Sequence, residues 1–322
     1  MKETVLTIKD FVDEIYENYP LNIAYRFLVD GNEESKNYKQ LRNDAYGMAS
    51  YLIKKGYKSS HIAILGGTSY EWIVSFLAVI MSGNVVIPID KMLTEKEMMF
   101  LFEAGDVEHI LYDKEFAKTA SEAKKNNKEI RGITDISARE FMAVLCTKET
   151  AMPETDPHSI AEILFTSGTT GTSKGVMISQ ENIINNLKDI HRMDYASNVE
   201  GDKVVLSVLP VHHTFELTVD NLGILCYGAT ICINDSLENI VANMNRFQPS
   251  VILIVPAIAE VFYKKIQEAL NDPATKKKIT RGRRLVKSLK VVGMDARRKA
   301  SVLSFQNQKK KIIHRTTLKF AI

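Results

Sequence analysis

The chain has 322 residues, of which 45% are hydrophobic and 25% are charged, the balance of an ordinary water-soluble protein. Its longest apolar run, Trp72–Met81, has only about half of the roughly 20 residues that a membrane-spanning helix needs. The N-terminus is acidic where a signal peptide requires a basic start followed by an apolar stretch. We therefore expect a cytoplasmic protein without a transmembrane segment, and leave peripheral membrane contact open.

The net charge of +3 is unevenly distributed along the chain. Residues 276–322 contain sixteen Lys or Arg and one acid, Asp295, so the other 275 residues carry a net charge of −12. A basic terminus of this kind can bind nucleic acid or a membrane surface. We instead assign 276–290 to an amphipathic helical region and expect no nucleic-acid partner.

The predicted elements alternate between strands and helices. In chain order they are an opening helix, a hairpin (24–30 and 35–39), helix 41–52, strand 61–65, helix 69–81, strand 85–89, helix 94–104 and strand 109–112. After residue 155 they are strand 161–165, a Gly/Ser/Thr loop, helix 180–190, strand 203–209, helix 217–225, strand 229–233, helix 237–247, strand 251–255 and helix 258–270. Continuously apolar strands separated by helices indicate parallel sheets covered on both faces. We predict an α/β fold with two packed, mostly parallel sheets and flanking helices.

The segment Ile163–Met177, ILFTSGTTGTSKGVM, has the composition of a phosphate-binding loop. It leaves the carboxyl end of a predicted strand, where open α/β sheets bind ligands. Glycines let the backbone approach an anion closely, hydroxyls donate to phosphate oxygens, and Lys174 supplies a positive charge. The spacing is not that of a P-loop, because Ser173 stands where the second glycine of that motif is required.

This loop resembles the phosphate-loop signature of the adenylate-forming superfamily, which includes acyl-CoA synthetases, peptide-synthetase adenylation domains and luciferases. Ser173 departs from the family's usual proline. Ser82–Asp90 resembles the family's earlier Gly-rich strand, and Leu209–Glu216 (LPVHHTFE) resembles the motif of its long-chain acyl-CoA synthetase branch. Val255–Lys265 is similar to the stretch that follows. Together the resemblance covers about residues 8–299, as two halves of 8–155 and 156–299 joined by a linker at 152–158.

The resemblance implies that the loop holds the phosphates of ATP and that Mg²⁺ and CoA take part. The implied ATP ligands are Thr166, Ser167, Gly168, Thr169, Thr170, Gly171, Thr172, Lys174 and Gly175. Lys174 is also an implied catalytic residue, and Thr170 is an implied neighbour of Mg²⁺ through the phosphates. A small-molecule carboxylic acid is the expected partner substrate.

The neighbouring histidines His212 and His213 allow three interpretations: a metal site, a base, or part of the pocket wall. Adjacent residues on an extended strand point to opposite faces, which argues against one shared metal ion. By resemblance both line the acyl and adenylate pocket, with His213 as the catalytic-site member. Glu216 either belongs to this motif or begins the next helix, where acids are favourable.

The remaining candidates favour structural roles. Trp72 lies on an apolar helix face with Phe76 and predicts core packing, and Asp90 predicts a turn or cap. His61, His109, His158 and His191 have no partners at ligand spacing. The three cysteines, Cys146, Cys226 and Cys232, also lack metal-site spacing and predict buried free thiols in a reducing compartment.

The family's later motifs, Thr-Gly-Asp and Tyr-Gly-x-Thr-Glu, do not occur in the 322 residues. Residues 300–322 lack the family's next strand, so we treat this tail as atypical and hypothesise a frameshift or premature stop. Three functions remain open on the sequence alone. They are an acyl-CoA synthetase or its truncated product, an adenylation domain that loads a carrier protein, and a non-catalytic nucleotide-binding remnant.

Overall fold

The computed structural model describes residues 1–137, 141, 144–145, 147–166, 174–193, 203–256, 258–260 and 263–264. The strands are β1 (Ile23–Val29), β2 (Asn32–Asn37), β3 (His61–Leu65), β4 (Val85–Ile89), β5 (Val107–Tyr112), β6 (Gly132–Asp135), β7 (Ile160–Thr166), β8 (Lys174–Ser179), β9 (Val204–Ser207) and β10 (Thr230–Ile233). The α-helices are α1 (Ile8–Asn18), α2 (Tyr38–Lys54), α3 (Tyr70–Met81), α4 (Glu95–Ala104), α5 (Ala117–Asn126), α6 (Gln180–Arg192) and α7 (Ile240–Phe247). A short 3₁₀ helix (Lys114–Phe116) and a π-helix (Glu216–Gly223) complete the described elements.

The strands form two mostly parallel sheets, as the sequence predicts. The larger sheet has the order β6-β5-β3-β4-β7-β8, and only its edge strand β8 is antiparallel to its neighbour. The smaller sheet has the order β2-β1-β10-β9, with β2 antiparallel at its edge. Strands from before and after residue 155 occur in both sheets, so neither sheet is built by one half of the sequence.

Alternate residues of each central strand enter different cores, the pattern expected when both faces of a sheet are covered. Ile62 and Ile64 of β3 belong to the core between the sheets, together with α1, α2, α3 and the π-helix. Ala63 and Leu65 face the opposite side, where α4 and α5 pack. A third core, between the smaller sheet and α7, completes five alternating layers.

Local signals in the sequence set several helix boundaries. The hydroxyl of Thr94 accepts from Glu97 N and the Glu97 carboxylate accepts from Thr94 N, so a capping box begins α4, close to the start of the predicted helix 94–104. The helix α3 is buried along almost its whole length because it lies between the two sheets. Trp72 is fully buried there and stacks on Phe76 with ring centroids 5.8 Å apart, which confirms the core assignment.

Several elements differ from the sequence prediction. The segment 251–255 is not a strand: Val251 forms only an isolated bridge with Val205. The strands β6 and β8 and the helix α5 were not predicted, because their short sequences contain few apolar residues in a clear period. Most of the predicted helix 258–270, and the whole of 276–322, lie outside the described residues.

The two cysteines within the described part of the chain are buried free thiols, as predicted. Burial raises the pKa of the Cys226 and Cys232 thiols to about 12, so both stay protonated at neutral pH. Cys146 lies outside the described residues. Among the helices that the structure describes, none has the length and apolar character to cross a bilayer.

Candidate functional site

The candidate site lies where the carboxyl edges of the two sheets meet. Thr68, which follows β3 of the larger sheet, bonds to the loop after β9 of the smaller sheet. Its hydroxyl accepts from Val211 N at 3.2 Å and donates to Leu209 O at 3.5 Å. Open parallel sheets bind ligands at this edge, and the Thr68 contact holds the corresponding edges of the two sheets together.

The phosphate-loop candidate occupies the turn of the β7–β8 hairpin. The loop leaves the carboxyl end of β7, as predicted, but it returns along the edge of the larger sheet as β8 before α6 begins. Thr166 and Lys174 are opposite each other in the hairpin register, and both are exposed. The hydroxyl and ammonium groups at the loop's two ends are therefore accessible from solvent.

The central part of this loop is not described. Six predicted ATP ligands fall there: Ser167, Gly168, Thr169, Thr170, Gly171 and Thr172. Gly175 is described, and its neighbours give it a packing role. A Cβ at this position would lie 3.0 Å from Ile163 Cγ2 and 3.5 Å from the Phe165 ring, so the hairpin strands pack closely because residue 175 has no side chain.

We define residues 208–215, between β9 and the π-helix, as the histidine loop. The sequence prediction that His212 and His213 are extended and point to opposite faces is wrong. A turn, closed by a 3.0 Å hydrogen bond from His213 N to Pro210 O, brings the two rings to 4.3 Å between centroids. His213 is exposed, whereas the side chain of His212 is only 11% exposed.

His212 faces the end of β4 in the other sheet. Its Nε2 lies 3.6 Å from Asp90 Oδ1. Burial lowers the pKa of His212 to about 4, although the Asp90 carboxylate acts in the opposite direction, so the ring is neutral at pH 7. Asp90 Oδ1 also accepts from Met92 N at 2.8 Å, which confirms its predicted turn role. The contact with His212 is an additional role that the sequence did not reveal.

Glu216 is fully buried at the first position of the π-helix, so both of its predicted roles have a structural counterpart. Its Oε1 accepts from the hydroxyl of Ser207, the last residue of β9, and lies 3.3 Å from Asn221 Nδ2. Both ends of the histidine loop are thus tied to one carboxylate. In the sequence, only the motif LPVHHTFE pointed to Glu216. Periodicity does not reveal which strand a buried acid will contact.

Asp113 is a second acid that sequence reasoning missed at the same edge. It follows β5, and its Oδ2 accepts from Gly67 N at 2.8 Å. Burial raises the pKa of Asp113 to about 6, although the Gly67 N–H and the nearby Lys91 lower it. A side chain in place of Gly66 would clash with the Asp113 carboxylate, which accounts for a glycine directly after β3.

Four further histidines that the structure describes occupy structural or surface positions. His61 Nδ1 is 2.7 Å from Gly105 O, the His191 ring contacts Tyr227, and exposed His158 pairs with Glu181. His109 is buried in a network with Tyr57 and Thr134. Within the described ranges, no group of three or more His, Cys, Asp or Glu side chains is arranged to hold a metal ion.

Comparison with known proteins gives a single family. The sequence matches the AMP-binding enzyme family over residues 12–313. Mouse long-chain-fatty-acid–CoA ligase 5 is 24% identical over 274 residues, which are 74% of this chain and 39% of the mouse protein. The chain spans about two fifths of the length of the curated long-chain relatives it matches.

Solved structures share the fold. The inhibitor-bound N-terminal domain of FACL13 from Mycobacterium tuberculosis superposes with a TM-score of 0.69 at 20% identity, over 84% of this chain and 66% of that domain. ATP-bound MatB from Rhodopseudomonas palustris gives a TM-score of 0.67 at 22% identity, over 83% of this chain and 52% of MatB. The predicted α/β architecture of two packed sheets is therefore confirmed.

Proposed function

Because the chain belongs to the AMP-binding enzyme family, we propose that it takes part in ATP-dependent activation of a carboxylic acid, with a long-chain fatty acid as the substrate. The observation that carries this proposal is the β7–β8 hairpin, whose exposed Thr166 and Lys174 flank the Gly/Ser/Thr loop at the ligand-binding edge of the sheet. The histidine loop meets the same edge through Thr68 and Asp90.

The described residues fit a polyphosphate ligand. Lys174 provides a solvent-accessible ammonium group, and phosphates are bound by such point charges together with hydroxyl and backbone N–H donors. Thr166 supplies a hydroxyl at the other end of the loop. We assign Ser167, Gly168, Thr169, Thr170, Gly171 and Thr172 to the same phosphate cradle, with Thr170 next to Mg²⁺. Bound Mg²⁺ would neutralise charge that develops on the phosphates.

The proposed reaction has two transfers. A carboxylate oxygen of the acid attacks the α-phosphorus of ATP, a P–O bond forms, and the bond to the leaving pyrophosphate breaks. The thiol of CoA then attacks the acyl carbon, a C–S bond forms, AMP leaves, and the thiol proton passes to solvent. Lys174 holds the departing phosphates, while His213, exposed in the histidine loop, shapes the acyl and adenylate pocket beside His212.

Substitution of Lys174 tests the first transfer. With a panel of fatty acids, we expect Lys174→Ala to slow pyrophosphate release by about 10²–10³-fold, because a preorganised charge on the transferring group is lost. Lys128→Ala is the matched control, since Lys128 is exposed near the opposite edge, between α5 and β6. The measurement is pyrophosphate release under saturating ATP.

Two results would contradict the proposal. One is an unchanged rate in Lys174→Ala, and the other is weak ATP binding by the wild-type chain without turnover, which supports a non-catalytic nucleotide-binding role. Product analysis with CoA and with a carrier protein then distinguishes a CoA ligase from a carrier-loading adenylation domain.

A further inference from the structure

Two buried acids lie at the base of the histidine loop. Glu216 and Asp220 stand at positions i and i+4 of the π-helix, and both are 0% exposed. Two neighbouring carboxyl groups in an apolar interior cannot both be ionised without a large electrostatic cost. At neutral pH the pair must therefore retain a proton.

The hydrogen bonds to the pair are directed at Glu216. Its carboxylate receives the Ser207 hydroxyl and the Asn221 amide at 3.3 Å, and the nearby backbone N–H of Leu209 in the histidine loop acts to lower its pKa. By contrast, neither oxygen of Asp220 has an N–H or O–H donor from any protein group that the structure describes, and the same is true of Glu216 Oε2. A proton held between the two carboxyls supplies the missing donor.

The electrostatic environment places that proton on Asp220. Burial raises the pKa of Glu216 to about 7, while its donors, led by Ser207, act to lower it. Burial and the charge of Glu216 both raise the pKa of Asp220 well above its usual range, and no donor or cation lowers it. Tyr25 on β1 is the other titratable group beside the pair. Burial and the two acids raise its pKa, so it stays neutral.

We propose that Asp220 is protonated in the folded protein and donates to Glu216, and that the resulting Glu216 carboxylate is a positioning residue for the histidine loop. The second part rests on the proposed function, because the loop carries His212 and His213. One carboxylate then holds the end of β9, the start of the loop at Leu209 and the helix that follows the loop. Glu216 thus fixes the geometry of the histidine loop through contacts that do not involve Thr68 or Asp90.

The two acids should respond differently to isosteric amides. In Asp220→Asn the amide N–H replaces the carboxylic acid O–H as the donor to Glu216, so the loop is retained. In Glu216→Gln one acceptor oxygen becomes an NH₂ group, and the donors that converge on it lose a partner. A pair that only filled space would give equal effects for the two substitutions.

The experiment uses the full chain and does not depend on turnover. Urea unfolding is measured between pH 7.5 and pH 9, above the pKa of about 7 of Glu216, for wild type, Asp220→Asn and the control Asp30→Asn, an exposed turn position. We expect the unfolding equilibrium constant of wild type and of the control to rise by up to tenfold per pH unit relative to Asp220→Asn. The reason is that the folded protein holds a proton that the unfolded chain releases. In infrared spectra at pH 9, Glu216 and the buried Glu162, whose pKa values are raised to about 7 and about 8, are mainly ionised. The carbonyl band of a protonated carboxyl should then be strong in wild type and weak in Asp220→Asn.

NMR of the histidine rings tests the positioning role. We expect the ring resonances of His212 and His213 to shift in Glu216→Gln and to stay in place in Asp220→Asn. Equal pH slopes for wild type and Asp220→Asn, a carboxyl band of equal intensity in these two proteins, or histidine shifts in both variants would overturn the proposal. If Glu216→Gln does not fold, the infrared band and the Asp220→Asn slope still decide the proton's location. Failure of catalysis alone would affect only the proposed function.

Discussion

His109 is a histidine that the fold holds in its neutral form. Its Nδ1 lies 2.6 Å from the Tyr57 hydroxyl and its Nε2 lies 2.9 Å from Thr134 Oγ1. Burial, together with the nearby charges of Lys124, Lys55 and Arg131, lowers the pKa of His109 to about 3. The sequence predicted a structural role for His109. It did not identify the partners, which lie 52 residues before and 25 residues after it in the chain.

Replacing His109 should weaken the acid sensitivity of the fold. The unfolded histidine titrates near pH 6.5, so the neutral folded state loses stability as the pH falls from about 6.5 toward 3. Wild type should lose about 2–3 kcal/mol between pH 6.5 and pH 4.5 through this group, a loss absent in His109→Gln. Urea unfolding at the two pH values measures the difference.

His158 provides the matched control because its side chain is 74% exposed and pairs with Glu181 at the surface. His158→Gln should retain the acid dependence of wild type. An identical pH dependence in His109→Gln and wild type would show that another group accounts for acid unfolding.

At the scale of elements, the contact between the β3–α3 turn and the histidine loop depends on one hydroxyl. Thr68→Val keeps the shape of the side chain and removes its hydrogen bonds to Leu209 O and Val211 N. We expect Thr68→Val to destabilise the protein by about 1–2 kcal/mol, because two backbone groups lose a partner. Amide hydrogen exchange at Val211 should accelerate in parallel.

The conservative variant separates hydrogen bonding from packing. Thr68→Ser retains the hydroxyl and should keep slow exchange at Val211 despite the lost methyl group. Equal exchange in the serine and valine variants would mean that the hydroxyl does not hold the loop.

The elements with strong local signals were the ones that the sequence predicted. Each of three elements can be recognised from a dozen residues or fewer: the apolar run of β3, the capping box of α4 and the apolar helix α3. The strand β8 does not, because it is an edge strand with exposed Val176 and Met177 and has no alternating pattern. The turn at His212 and His213 was not predicted because it depends on tertiary contacts as well as local ones. His213 N bonds to Pro210 O, and Val211 N bonds to Thr68, which follows β3 of the other sheet.

At the scale of the molecule, stability depends on the layer of helices between the sheets. Leu77 in α3 is fully buried in that layer. Leu77→Ala should cost about 2–5 kcal/mol, because it removes apolar contacts and leaves a cavity that neighbouring sheets cannot fill. Fluorescence of Trp72, the single tryptophan, reports unfolding in a urea titration.

Phe100→Ala is the control, since Phe100 on α4 is 51% exposed. Its midpoint should stay close to that of wild type. If both variants unfold at the same urea concentration, the layer between the sheets does not limit global stability.

The sequence predicted the fold class and the strand that precedes the candidate phosphate loop, and it did not predict which strands would be neighbours. Apolar runs identify a buried strand without identifying its partner, so the pairing of β1 with β10 was not accessible. The buried acid Glu216 was recognisable as part of a motif. Asp220 was not, because only the folded chain places it beside Glu216, where burial and the Glu216 charge raise its pKa.

The pairing of β1 with β10 also determines how long β1 lacks a strand partner during synthesis. Tyr25 lies beside Ile231, so the edge of β1 has no strand partner until more than 200 further residues have left the ribosome. At translation rates of roughly 5–20 residues per second, this interval is about 10–40 s. Throughout that time the β1–β2 hairpin exposes apolar side chains and one row of unsatisfied backbone groups. For that interval the open edge of β1 is a site where a strand of another chain can pair before β10 exists.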